Sequence, residues 1–126
     1  MSRHVAIWLD HHEAKVFHVT PDSFEEKHLH APHATLHQKH RDKTHPAEMK
    51  HFFEEILAAA ADAEEILVVG IGSAKLELVK HVHAHHARLV DKIVGVESVD
   101  HPTDRQLVAY ARKYFVRVDA LKGDAS

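Results

Sequence analysis

Histidine dominates the reactive chemistry of this chain: there are 16 in 126 residues, 11 of them before position 52, and there is no cysteine. With an unperturbed pKa of about 6.5, imidazole is a neutral metal ligand or a cation on demand near neutrality. Without thiolate, a metal site here must combine His with Asp or Glu, a donor set that zinc or nickel accepts. His81 and His85 are four apart and His83 and His86 three apart, so on a helix each pair shares a face as metal ligands do. The alternative places His83 partly on a core side and leaves the others as solvated surface. His33, His37, His40 and His45 crowd one segment at irregular spacing, which does not by itself make them converge.

Three carboxylates form a second set. Asp10 ends one apolar run, and Glu97 and Asp100 lie at the end of another. Carboxylates converging from such positions hold divalent metal for phosphodiester hydrolysis. No further strand supplies a carboxylate opposite Asp10, however, and Asp10 equally suits the first position of a turn. A third feature is Gly70-Ile71-Gly72-Ser73-Ala74-Lys75, between a buried strand and a helix, where free backbone amides attract anions. It is neither a Walker loop nor a full dinucleotide fingerprint, and a tight turn with Ser73 as N-cap explains the same residues.

Basic positions that could meet RNA phosphates are Lys39, Arg41 and Lys43, with His40 among them, and Arg105, Lys113 and Arg117 further on. Glu25-Glu26 and Glu54-Glu55 argue against a surface that coats nucleic acid throughout. Tyr110 and Tyr114, four apart, read as helix packing rather than a base-stacking platform.

These side chains must be positioned by a regular scaffold. His4 to Asp10 and Ala14 to Thr20 read as a hairpin turned at Asp10 to Glu13, and Phe24 to His30 as a weaker edge strand with Glu25, Lys27 and His28 toward water. Ala31 to Thr44 lacks apolar periodicity and reads as a long exposed loop, the kind that carries function or is disordered. Pro46 opens a helix with Phe52, Phe53, Ile56, Leu57 and Ala60 inward, ending near Ala63. Ile66 to Val69 is a buried strand, and Ser73 starts a second helix, expected to be buried through Leu76, Val79 and Val82 or His83. Lys92 to Glu97 is a short strand. Thr103-Asp104-Arg105-Gln106 is a capping box for a third helix with Leu107, Val108, Ala111, Tyr114 and Phe115 inward. The order predicts one α/β domain over 1–118, ribonuclease H-like, with a five-stranded mixed sheet in order β-β-β-α-β-α-β-α and helices on both faces. Residues 119–126 read as a frayed tail.

Composition agrees with one soluble domain: 44% of residues are hydrophobic and 28% charged. The formal charge of -3 with neutral histidines would change sign near pH 6.5, where sixteen unperturbed imidazoles add roughly eight positive charges. The opening MSRHVAIWLDHHEAK is too polar for a secretory signal, and no run approaches a membrane span, so a cytoplasmic location without membrane contact is expected.

The segments AIWLDHHEAKVFHV, HAPHATLHQKH, EEILVVGIGSAKLELVKHV and KIVGVESVDHPTDRQLVAYARKYF together resemble the small bacterial proteins labelled translational machinery protein, themselves similar to the central domain of archaeal and eukaryotic class I release factors and Pelota. The resemblance runs from about Arg3 to Phe115 and is most specific at Val68 to Lys75 and Val94 to Phe115. It implies the same ribonuclease H-like order. In release factors the loop before the first long helix carries a Gly-Gly-Gln tripeptide that promotes peptidyl-tRNA hydrolysis. The corresponding segment here, Pro32 to His45, has no glycine, and Gln38 stands alone. Without those glycines the backbone cannot make the tight conformation that presents the glutamine, so hydrolysis is not implied. Pelota-like relatives also lack the tripeptide and act in ribosome rescue. The resemblance therefore implies a ribosome- or tRNA-binding domain, without a required cofactor and without DNA as partner, that uses His33, His37, Gln38, Lys39, His40, Arg41 and Lys43. The flanking domains of those factors are not expected here. The alternatives are a histidine-rich metal-binding or pH-responsive protein, through His33, His37, His40, His81 and His85, and a hydrolase through Asp10, Glu97 and Asp100. The open third strand would permit a homodimer.

Overall fold

The N-terminal sheet is built from local pairings. In the computed structural model, which describes residues 3–31 and 46–122, β1 (His4–Leu9), β2 (Glu13–Val19) and β3 (Phe24–His30) form an antiparallel meander. The first turn is closed by Asp10, whose Oδ1 accepts from the amides of His12 and Glu13 at 2.8 and 2.9 Å. The second is closed by Thr20 and Ser23, and Arg112 donates to both their carbonyls at 2.9 Å.

The remaining elements are α1 (Pro46–Ala59), β4 (Glu65–Gly70), α2 (Ala74–His85), the one-turn α3 (Ala87–Val90), β5 (Ile93–Ser98) and α4 (Asp104–Leu121). The sheet order is β3-β2-β1-β4-β5, with β4 parallel to both β1 and β5. Each crossover carries a helix, as parallel pairing requires. The expected α/β class, the five-stranded mixed sheet and the two helical layers are therefore present, with α3 as an addition.

β1 and β4 are continuous apolar runs because both of their faces are covered. Val5, Ile7, Leu9, Ile66 and Val68 pack with Phe52, Phe53, Ile56 and Leu57 of α1 and Leu78 and Val82 of α2. Ala6, Trp8, Leu67 and Val69 face the other way, against Leu107, Val108, Ala111 and Phe115 of α4. β3 is an exposed edge, as its charge predicted. The capping box also forms: Thr103 Oγ1 accepts from the Gln106 amide and Gln106 Oε1 from the Thr103 amide.

Three expectations need correction. α1 ends at Ala59 and passes into a turn before Ala63. α2 buries Ala74, Lys75, Leu78, His81 and Val82, while Leu76 is 58% exposed and His83 exposed. The inward stripe starts at the small Ala74 and recurs at Leu78 and Val82, which rotates Leu76 outward. Residues 119–122 are not a frayed tail: α4 runs to Leu121, Asp119 lies 3.3 Å from His4, and Lys122 donates to Glu65 at 2.9 Å. Burial of Phe115 one turn earlier carries the helix over the sheet margin. Among the described residues no helix is long and apolar enough to cross a membrane.

Candidate functional site

The second helix does gather histidines, around a carboxylate from another element. Burial of Leu78 and Val82 turns His81 inward, where its ring lies 5.7 Å from that of Phe53 and only 9% of the residue is exposed. After His85 the helix breaks: His86 leaves helical geometry, and its amide closes the last turn on the Val82 carbonyl at 2.8 Å. That break swings the His86 imidazole back toward α1. Glu54 then accepts at one oxygen, Oε2, from His81 Nε2 at 2.6 Å and from His86 Nε2 at 2.7 Å. An ionised carboxylate only accepts, so both imidazoles carry hydrogen on Nε2. The hydrogen bonds from His86 and then His81 hold the Glu54 carboxyl below the ordinary glutamate range. The His85 ring lies tilted at 46° beside that of His81, with centroids 4.7 Å apart.

This cluster lies at one wall of an open cleft of about 890 Å³ between α1 and α3, lined by Glu54, Leu57, Ala61, His86, Arg88 and Lys92. The cleft combines an apolar wall from Leu57, Ala58 and Ala61 with charges of both signs, Arg88 and Lys92 against Glu54 and Asp91. Of the expected helix pair, His81 and His85 are adjacent. The second expected pair does not form a site: His83 is exposed, and His86 joins His81 on Glu54, which lies 27 residues from His81, beyond any spacing rule.

The three carboxylates read as a hydrolytic set do not assemble. Asp10 is engaged in its turn. Glu97 Oε2 accepts from the Tyr114 hydroxyl at 2.9 Å, over Gly95, where a Cβ would run into the tyrosine. Burial, then the Glu97 carboxylate, raises the Tyr114 phenol. Asp100 is exposed, and its backbone carbonyl accepts from Trp8 Nε1 at 3.2 Å. Among the described residues, three sets of His, Asp and Glu bring ligand atoms within 4.8 Å of one another: Glu13, His28 and His30; Glu54, His81 and His86; His4, Glu65 and Asp119. None contains Asp10, Glu97 or Asp100.

The glycine turn serves as a structural junction. Gly70 is required because a Cβ would collide with the Leu9 carbonyl of the neighbouring strand, and Gly72 takes a φ of 78°. Ser73 does not cap α2 with its side chain; its hydroxyl donates to Glu77 Oε2 at 3.1 Å. Lys75 is buried, and its ammonium donates to the Gly72 carbonyl at 2.6 Å. A carboxylate thus stands beside the turn, and the lysine is held by the turn's own backbone.

Arg105, Lys113 and Arg117 are all exposed on α4, spaced so that they follow one outward stripe. His33, His37, Gln38, Lys39, His40, Arg41 and Lys43 lie outside the described residues.

No family model matches the chain, and no curated protein does. Solved structures do match it. Pelota of Archaeoglobus fulgidus aligns with a TM-score of 0.69 and 16% identity, over 98% of this chain and 34% of that one. The archaeal translation termination factor aRF1 aligns with a TM-score of 0.54 and 17% identity, over 98% of this chain and 42% of that one. Dom34 of S. cerevisiae, a translation termination-like factor involved in RNA quality control pathways and interacting with Hbs1, aligns with a TM-score of 0.57 and 15% identity over 92% of this chain. The chain thus spans roughly a third to two fifths of the proteins it matches, and at these identities the likeness is one of fold.

Proposed function

We propose that this chain is a release-factor-like domain that binds the ribosome or tRNA without hydrolysing peptidyl-tRNA. The observation that supports it most is the match of fold over 98% of the chain to both Pelota and aRF1. The absence of any glycine between Pro32 and His45 separates binding from hydrolysis, because Gln38 lacks the two preceding glycines of the tripeptide that presents the glutamine. On this reading phosphate contacts come from Arg105, Lys113 and Arg117, while His33, His37, Lys39, His40, Arg41 and Lys43 supply a second basic patch. Imidazoles in that patch add positive charge as the pH falls toward 6.

The test is co-sedimentation of untagged protein with ribosomes over a range of salt. Binding should be saturable and weaken with salt. It should weaken further when His33, His37 and His40 are replaced by alanine. Replacing Arg105, Lys113 and Arg117 together removes three phosphate contacts and should flatten the log-log salt slope by about 2. No sedimentation at the lowest salt, or binding indifferent to both triple variants, would refute the proposal. A peptidyl-tRNA hydrolysis assay should give no release above the spontaneous rate.

A further inference from the structure

β1 and β4 run parallel with His4 beside Glu65. By alternation His4 shares a face with Ala6 and Trp8, and Glu65 with Leu67 and Val69, the face that α4 covers. Phe115 stacks on the His4 ring with centroids 4.4 Å apart, and Asp119, one turn on, sits over the pair. His4 Nε2 is 3.2 Å from Glu65 Oε1 and 3.3 Å from Asp119 Oδ2. Neither approach has the direction of a hydrogen bond. His4 Nε2, Glu65 Oε1 and Asp119 Oδ1 are instead the three buried side-chain atoms among the described residues that lack any hydrogen-bond partner. The Glu65 side chain itself is only 6% exposed.

Such atoms are rare because desolvation without a partner is destabilising, and three in one place are met either by a cation they share or by a proton held between the two carboxyls. Ligand atoms around a tetrahedral zinc, each about 2.0–2.1 Å from the metal, lie roughly 3.3 Å from one another. That is the spacing of His4 Nε2 from Glu65 Oε1 and from Asp119 Oδ2, the other oxygen of Asp119 being the one without a partner. The Glu54 cluster differs, because its 2.6 and 2.7 Å contacts are direct hydrogen bonds with no room for an ion between them. Lys122 donates to Glu65 Oε2 and so orients the carboxylate with Oε1 toward His4, as an outer partner of a metal ligand does.

We propose that His4, Glu65 and Asp119 bind a divalent transition-metal cation of the zinc type. The ion ties the start of β1 and β4 to the last turn of α4, with water completing its shell on the side where His4 and Asp119 are partly exposed. One imidazole and two carboxylates make a site of nitrogen and oxygen donors, the set that a thiol-free chain has to use. The rival resolution is a proton shared by the two carboxyls.

The untagged chain, stripped with chelator, is titrated calorimetrically with zinc alone and, separately, with cobalt while visible absorption is read. One equivalent of zinc should bind, with Kd raised at least roughly 100-fold in Glu65→Gln and in Asp119→Asn and unchanged in Glu54→Gln, which tests the other histidine cluster. Cobalt on the wild-type protein should give the intense bands of a tetrahedral site, a readout that does not depend on any variant folding. Weak octahedral bands only, zinc affinity indifferent to both carboxylate changes, or loss confined to Glu54→Gln would each overturn the proposal and assign the metal to surface histidines. Absence of stoichiometric zinc would overturn it in favour of the shared proton.

Discussion

Glu54 is the acceptor on which the buried end of α2 depends, so Glu54→Ala is the most informative single change. It leaves His81, 9% exposed and packed beside Phe53, with no partner for its Nε2 hydrogen. Leaving a buried donor unmet costs about 1–3 kcal/mol. The His86 half matters less: 31% of that side chain is exposed, so water replaces the carboxylate and the loss is under about 1 kcal/mol. A combined loss of about 2 kcal/mol in a domain of this size lowers Tm by roughly 5–10 °C. Glu54→Gln retains one acceptor oxygen without the charge and should fall about halfway between. The pH dependence has a definite sign. The two imidazoles hold the Glu54 carboxyl below its ordinary value, so its contribution is complete above the unfolded pKa of about 4.3 and is lost as pH falls through the lower folded value. The gap between wild type and Glu54→Ala should be full near pH 7 and close only below the ordinary glutamate value of about 4.3. Thermal melts followed by circular dichroism measure both quantities, and a double-mutant cycle with His81→Ala isolates the pair. A variant within about 1 °C of wild type near neutrality, or a gap that persists unchanged into acid, would refute the reasoning.

Two further changes test the scaffold. Gly70→Ala places a Cβ on the Leu9 carbonyl, a rigid neighbour in a central strand, and should cost about 2–4 kcal/mol in urea unfolding; a neutral result would mean that β1 and β4 are not held at this separation. Leu78→Ala, at 1% exposure, should cost about 2–5 kcal/mol, whereas Leu76→Ala, at 58%, should stay within about 0.5 kcal/mol. Equal losses would place the inward stripe of α2 wrongly.

What could be read from the sequence was local. The apolar runs of β1 and β4, the turn residue Asp10 and the capping box at Thr103 each act within a few positions, and each appears where its spacing puts it. The rotation of α2 is not legible in the same way, because Ala74 carries little apolar signal although it begins the buried stripe, and Leu76 carries much although it faces water. The histidine and carboxylate clusters are illegible for a different reason. Glu54 and His81 are separated by 27 positions and Lys122 and Glu65 by 57, so only the packed helices bring them together. Asp119 looked like tail because its polar character is explained by His4 and Glu65, at the opposite end of the sequence.

The direction of synthesis gives the two faces of the sheet unequal histories. The meander β1 to β3 depends on contacts between near neighbours and can assemble as it leaves the ribosome, but β4, which completes the other side of β1, arrives some 35 residues later. The side of the sheet carrying Ala6, Trp8, Phe17 and Val19 waits longer still, until the helix starting at Asp104 arrives. Until that helix is made, Trp8 and Phe17 lack the α4 side chains that cover them in the fold, and apolar faces beside an open strand edge are what incomplete chains associate through. Arg112, by clasping the turn between Thr20 and Ser23, makes the last helix the latch that ends this exposure.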